Sequence, residues 1–261
     1  MKKIIYLVML MSLYSPFNVW GTNVLDLVID EYPPYVFTDP DTGTIDGISI
    51  RVVNAVFKHM NQSISLRVVP WSRSLKLIRE GKIDGIIQIF KNEERQTYLD
   101  FNNVVLMNEV TSLFVVEDSD IHFEGELAKL NKYHFGARQD FSYGTIFDQA
   151  VTDNVISNIS LYVEHERLVL ELCTGELDIA IGESNVLAYR EHLVKSVKKN
   201  SVTRCKKIKE LSPPVQLTPG YIAFSKKREL TDIRDKFDAI LMKMKQDGSY
   251  QEIIDIWGKT H

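Results

Sequence analysis

Apolar positions recur along the chain with two alternating periods. The run VLDLVID, residues 24–30, reads as a strand that ends at Asp30. EYPPYVF follows, where two adjacent prolines forbid helix and set an extended path. After a loop rich in Asp and Gly, ISIRVVNAVFKHM places Ile50, Val53, Val56, Phe57 and Met60 at helical spacing. ISLRVV is the next strand, SRSLKLIREGKID a helix closed by Gly81, and GIIQIF a strand. Such alternation of strand and helix predicts a mostly parallel sheet covered on both faces, with ligands at the carboxyl ends of its strands.

The longer apolar run VTSLFVVE, residues 110–117, suits a strand that crosses between two lobes. A second series then begins: strand YHFGAR, turn QDFSYG, helix TIFDQAV, strand ISLYV, helix HERLVLELCTG and strand LDIAIGE. Both series carry the same unit of helix, glycine, acid and apolar strand, LIREGKIDGII and LELCTGELDIAI, which suggests two similar lobes. PPVQLTPGYIAFSK suits a second connecting strand, and the last residues form two helices separated by DGS. In the first of these, Ile233, Phe237, Ile240, Leu241 and Met244 form a core-facing stripe.

A chain of 261 residues exceeds the size at which single cores usually stop growing, which favours two lobes and a cleft between them. A net charge of -4 with scattered Lys and Arg gives no footprint for nucleic acid. The start, MKKIIYLVMLMSLYSPFNVWG, has two lysines, a short apolar run and small residues near Gly21, the layout of a secretory signal over residues 1–21. That run is short of the ~20 residues a spanning helix needs. No cysteine follows it for lipid attachment, so a periplasmic product beginning near Thr22 is expected. Export permits a bridge between Cys173 and Cys205; a buried free thiol at Cys173 and a lysine-flanked Cys205 is the alternative, and geometry decides.

Together YPPYVF, VPW at 69–71, GKIDGII with KNEERQTYLDF, GELDIAIGE, and the closing GYIAFSK and MKQDGSYQEIIDIWG resemble the family 3 extracellular solute-binding proteins. These feed polar amino acids to ABC transporters. The resemblance covers the mature chain and implies an α/β, two-lobed periplasmic-binding-protein type II fold, each lobe a mixed, mostly parallel sheet with flanking helices, joined by two hinge strands. Residues 22–110 and 217–261 would form the first lobe and 111–216 the second. It further implies a monomeric receptor without a cofactor, closing on a small polar ligand and docking to a permease.

The resemblance also implies roles. Arg95, at the end of the "ER" element, would grip a ligand carboxylate, a task its planar fork of donors suits; a surface ion pair with Glu93, Glu94 or Asp100 is the alternative. Glu183 would take the ligand ammonium, or sit at the acidic start of the helix SNVLAYRE, or both. Asp30, Tyr32, Tyr35 and Trp71 are further ligand candidates, with a core role the alternative for Tyr35. The turn GARQDFSYG adds Arg138, Ser142 and Tyr143. QIFKN replaces the hydroxyl-rich approach usual in the family, which would bring Gln88 and Phe90 into the cleft. Arg73 adds a cation beside Trp71 or a solvated helix start. Asp178 reads as structural.

Some relatives of this fold act as dehydratases, and Glu31 and Glu183 are the carboxylates such an activity would use. A sensor input module is a third reading. The six histidines, His59, His122, His134, His165, His192 and His261, show no ligand-like spacing and are expected at the surface.

Overall fold

The computed structural model describes residues 24–197 and 205–260; the expected leader, residues 1–21, and His261 lie outside the described residues. β1 (Leu25–Ile29) is buried at four of its five positions and pairs in parallel with β4 (Ile64–Val68) and β5 (Gly85–Phe90). A two-stranded ribbon, β2 (Phe37–Thr38) with β3 (Ile45–Asp46), leads into α1 (Ile48–His59). α2 (Trp71–Arg79), α3 (Glu93–Gln96) and β6 (Leu99–Phe101) complete the first series. The second comprises β8 (Phe135–Arg138), α4 (Thr145–Thr152), β9 (Ile159–Tyr162), α5 (His165–Thr174), β10 (Ile179–Glu183), α6 (Ser184–Val197) and β11 (Ile208–Glu210). α7 (Thr231–Asp247) and α8 (Ser249–Thr260) return to pack on α1.

Two long strands join these series. β7 (Met107–Val116) and β12 (Gln216–Ser225) pair antiparallel from Thr111 with Gln216 to Met107 with Gly220. Beyond that crossing β7 pairs with β10 and β11, whereas β12 pairs with β5 and β6. One sheet, ordered β4-β1-β5-β12-β7-β10-β8-β9, therefore runs through both lobes, which share the two strands between them. The expected type II binding-protein architecture, with its pair of connecting strands, is what forms.

Period-two alternation fixes the layers. In the first lobe Leu27 and Ile87 face α1 and α7, packing with Phe57, Phe237 and Leu241, while Val28, Ile86 and Ile89 face α2 with Ile78. In the second, Leu113, Ile179 and Ile181 pack with Phe135 and Phe147, while Phe114 and Ala180 meet Leu168 and Leu172 of α5. Cys173 and Cys205 are bonded, with Cα atoms 4.6 Å apart, and tie α5 to the segment before β11. The YPPYVF turn is drawn tight by Tyr32 N donating to Val36 O at 2.7 Å, with a cis peptide between Pro33 and Pro34. Gly47 (φ 129°) closes it: a Cβ there would lie 2.2 Å from the Tyr35 carbonyl oxygen.

Candidate functional site

The carboxyl end of β5 builds one wall of the interlobe cleft. Asn92 follows, and its side chain caps α3 by accepting the Arg95 amide at 2.8 Å. Glu93 and Glu94 occupy the first turn, where carboxylates suit the positive end of a helix. Glu94 pairs with Arg79 and Asp100 with Arg234. Arg95 turns inward instead and is 3 % exposed. Its Nη1 donates to the Phe90 carbonyl at 2.9 Å, its Nη2 to the Asp140 carbonyl at 3.0 Å, and its guanidinium lies 5.3 Å from the centre of the Trp71 ring. Among the described residues it makes no ion pair, so the surface-pair alternative does not apply. Burial pulls its pKa below the usual arginine range.

The floor of the cleft rests on an irregularity in β5. Gln88 has φ 59° and sits where the β5 register against β12 shifts, a bulge that re-aims its side chain. Its amide oxygen accepts from Ser49 Oγ at 2.9 Å, and its amide nitrogen donates to Glu109 Oε1. Tyr32 Oη donates to Glu109 Oε2 at 2.7 Å. Glu109 lies on the connecting strand β7, 1 % exposed; burial, and then the neighbouring Glu183 charge, push its pKa up to about 8. Gly220 makes room for this chain of bonds, because a Cβ there would fall 2.5 Å from Gln88 Nε2.

The opposing wall is the turn after β8. Asp140 (φ 61°) aims its carbonyl at the first lobe, accepting from Trp71 Nε1 at 2.8 Å as well as from Arg95, and its carboxylate accepts from Ser72 Oγ at 2.5 Å. Ser142 Oγ donates to Asp148 of α4, which also accepts the Tyr143 amide at 2.9 Å. Arg138 donates to His165 Nδ1 at 2.5 Å and to Asp30 Oδ2 of the first lobe at 3.2 Å, with Phe141 stacked beneath its guanidinium. Arg190 of α6 reaches the Glu31 carbonyl at 2.8 Å.

Seven of the expected residues, Asp30, Tyr32, Trp71, Gln88, Phe90, Arg95 and Ser142, line one cavity, together with Val36, Ile87, Glu109 and Phe141. Its volume is about 30 Å³, room for roughly two waters, so a larger occupant requires the walls to part. Four expected residues stand outside that wall. Tyr35 stacks behind Tyr32 at 5.7 Å and donates to Glu183 at 2.9 Å. Glu183 spends its oxygens on Tyr35, Asn185 and the Val186 amide, the last at 2.8 Å, and thereby caps the start of α6. Tyr143 is buried in the second lobe's core, accepting the Arg138 amide. Arg138 lines the cleft's outer mouth with Asp30, Glu31 and Arg73.

His165 corrects the expectation of a surface residue. It is 4 % exposed, beneath Tyr32 and Phe141, and burial next to Arg138 and Arg190 holds it neutral, well below the usual histidine range. Its spacing carried the signal, since Leu168, Val169 and Leu172 lie on the same helical face and are buried. Glu109 was overlooked in sequence although alternation with Met107 and Thr111 puts all three on the inward side of β7. Asp178, which accepts the His134 amide at 2.8 Å, holds a loop and stands away from the cavity.

The model of the bacterial extracellular solute-binding proteins, family 3, matches residues 26–260. The chain belongs to that family. An arginine-binding periplasmic protein of Mannheimia haemolytica is 23 % identical to this family 3 chain over 239 residues, 89 % of this chain and 90 % of that one. Among solved structures, a histidine kinase sensor domain with similarity to periplasmic binding proteins superposes with a TM-score of 0.72 at 18 % identity, covering 89 % of this chain and 95 % of that one. The substrate-binding protein of an amino acid ABC transporter gives 0.69 at 18 % identity, covering 90 % and 100 %. At those identities the two structures speak to the fold alone. Among the described residues no helix is long and apolar enough to cross a membrane.

Proposed function

We propose that this family 3 chain is a periplasmic receptor which captures a small polar ligand, an amino acid or a related carboxylate, between a lobe of residues 22–110 and 217–261 and a lobe of residues 111–216. The observation that carries the reading is Arg95, a buried guanidinium on the cavity wall with two carbonyl acceptors and no carboxylate. Buried cations are otherwise paired, and a ligand carboxylate supplies the missing charge. The aromatic faces of Tyr32, Trp71, Phe90 and Phe141 then enclose the ligand body.

Ligand binding favours the closed form by its differential affinity for the two states. The closed molecule presents both lobes to the permease of an ABC transporter, the kind of assembly a structural neighbour serves as substrate-binding protein, and acts as a monomer because one chain completes the cleft. Periplasmic residence agrees with the leader-like first residues, the disulfide and the extracellular character of the family. Binding, not catalysis, is the activity we assign. Among the described residues His165 is committed to Arg138, Ser142 to Asp148 and Glu31 to Thr38, contacts that the fold itself supplies.

A thermal-shift screen of residues 22–261 against amino acids, organic acids, sugars and oligopeptides tests this. A rise in melting temperature with amino acids or other carboxylates is expected. A shift confined to sugars would refute the carboxylate reading.

A further inference from the structure

An ion pair joins the two lobes at the outer mouth of the cleft. Arg138, at the end of β8, donates from Nη2 to Oδ2 of Asp30, the residue that follows β1, at 3.2 Å. The two side chains are only 8 % and 13 % exposed, so the pair is a clasp shielded from water rather than a surface contact.

Few contacts aim Arg138 at its partner. Its Nε is buried without an acceptor, and Phe141 lies 4.6 Å from the guanidinium. The remaining side-chain bond runs from Nη1 to His165 Nδ1 at 2.5 Å. A guanidinium only donates, so Nδ1 must accept, and the neutral ring carries its proton on Nε2. Tyr32 of the first lobe covers the imidazole with ring centres 5.8 Å apart, and parting the lobes uncovers it. We infer that His165 is a positioning residue for cleft closure: its bare Nδ1 aims Arg138 at Asp30, and a proton on that nitrogen releases the clasp and opens the cleft.

That proton removes the bond to Arg138 and adds a third positive charge beside Arg138 and Arg190. In the closed form burial, then Arg138, then Arg190, hold His165 well below its ordinary 6.5. In the open form, with Tyr32 withdrawn and water admitted, the ring returns toward that value. Closure is therefore favoured above pH 6.5 and loses that advantage as pH falls below it. The charged and titratable groups around the ring are Asp30, Glu31 and Tyr32 of the first lobe, Arg138 of β8, Arg190 of α6, and Glu164 and Glu166 at the start of α5, the last paired with Arg190. Asp30, raised by burial against the lowering pull of Arg138, is a second group whose protonation undoes the pair; a pH response that survives without a titrating ring would belong to it. The clasp works at the mouth, so its action does not rest on the chemistry of what the cavity holds.

Trp71 reports closure, being 7 % exposed and bonded across the gap to Asp140. In residues 22–261, Trp257→Phe leaves it as the only tryptophan. Acrylamide quenching of that protein should rise in a step between about pH 7.5 and about pH 5, each unit below 6.5 moving the ratio of closed to open by up to about ten-fold. His165→Asn supplies an acceptor that does not titrate, and should stay shielded across the range. His165→Leu fills the space without an acceptor, and should be quenched already at pH 7.5. A merely structural histidine predicts no such split between the two.

Absence of the step in the parent protein, a step that persists in His165→Asn, or a His165→Leu as shielded at pH 7.5 as the parent each overturns the assignment. Should the variants not fold, judged by their melting curves, an NMR titration of the His165 ring in the parent decides. A midpoint that coincides with the quenching step supports the clasp, and a ring that stays neutral through the step overturns it.

Discussion

The two walls of the cleft are built from similar residue types and do opposite things with them. On the first, Arg95 is held by two carbonyls and keeps its charge unanswered. On the second, most polar groups have an answer already: Arg138 in Asp30 and His165, although its Nε is left without a partner, Ser142 in Asp148, Tyr143 in the Arg138 amide. What the second wall adds is contact across the gap, through the Asp140 carbonyl with Trp71 and Arg95 and through Arg190 with the Glu31 carbonyl. One wall leaves a buried cation without a carboxylate, and the other reaches across the gap to touch it. The lesson is that satisfaction, not residue type, separates a binding group from a structural one.

Substituting Arg95 should break the contrast most sharply. Arg95→Ala is expected to lose about 2–5 kcal/mol of ligand affinity, while the melting temperature without ligand falls through the Phe90 and Asp140 carbonyls left unpaired. Unchanged affinity by calorimetry would end its role as anchor. Gly220→Ala comes next. The added Cβ would lie 2.5 Å from Gln88 Nε2 and 3.1 Å from the Met107 carbonyl oxygen, so a destabilisation of about 1–3 kcal/mol in urea denaturation is expected. A neutral result would show that the Gln88 bulge is free to rearrange.

Trp71→Phe probes that reach alone by deleting the indole bond to Asp140 while keeping an aromatic face. A loss of about 0.5–1.5 kcal/mol is expected, appearing mainly as faster ligand dissociation in stopped flow. A slower association rate instead would group Trp71 with Arg95.

The smallest effect is a pH slope. Glu109 has a folded-state pKa raised from the ordinary 4.5 to about 8, so its contribution to stability is complete below the ordinary value and is lost as pH rises through about 8. His165 is depressed, so its contribution is complete above its ordinary 6.5 and is lost as pH falls below it. Between pH 6.5 and 8 the ligand-free protein should therefore melt lower as pH rises, and Glu109→Gln should flatten that slope. A slope unchanged in the variant would assign it to other groups.

The long elements were legible in the sequence because their periodicity is a direct trace of burial. The α1 stripe, the α7 stripe and the apolar β5 and β10 all read correctly from spacing alone. β6 and β11 did not, since three-residue strands exist only through their partners β12 and β7. In the candidate site Asp30 and Phe90 lie at strand ends, whereas Gln88 faces the cleft through a bulge that interrupts the alternation and was expected there only from the family resemblance. Glu109 and Phe141 went unread for a different reason. An acid inside an apolar run and an aromatic in a turn look like noise until the opposite lobe is brought against them.

The continuous sheet has a mechanical consequence. When two arms swing about a shared axle, points far along the arms travel most and points on the axle hardly travel at all. Trp71 and Asp140 ride on opposite arms and meet at 2.8 Å, so a change of angle draws them apart. Glu109 sits on the axle, in the stretch of β7 laddered to β12. A side chain there hardly travels as the angle changes, and so supplies no torque. Torque must come from the rims, which divides the molecule's labour between seizing its cargo and shutting upon it.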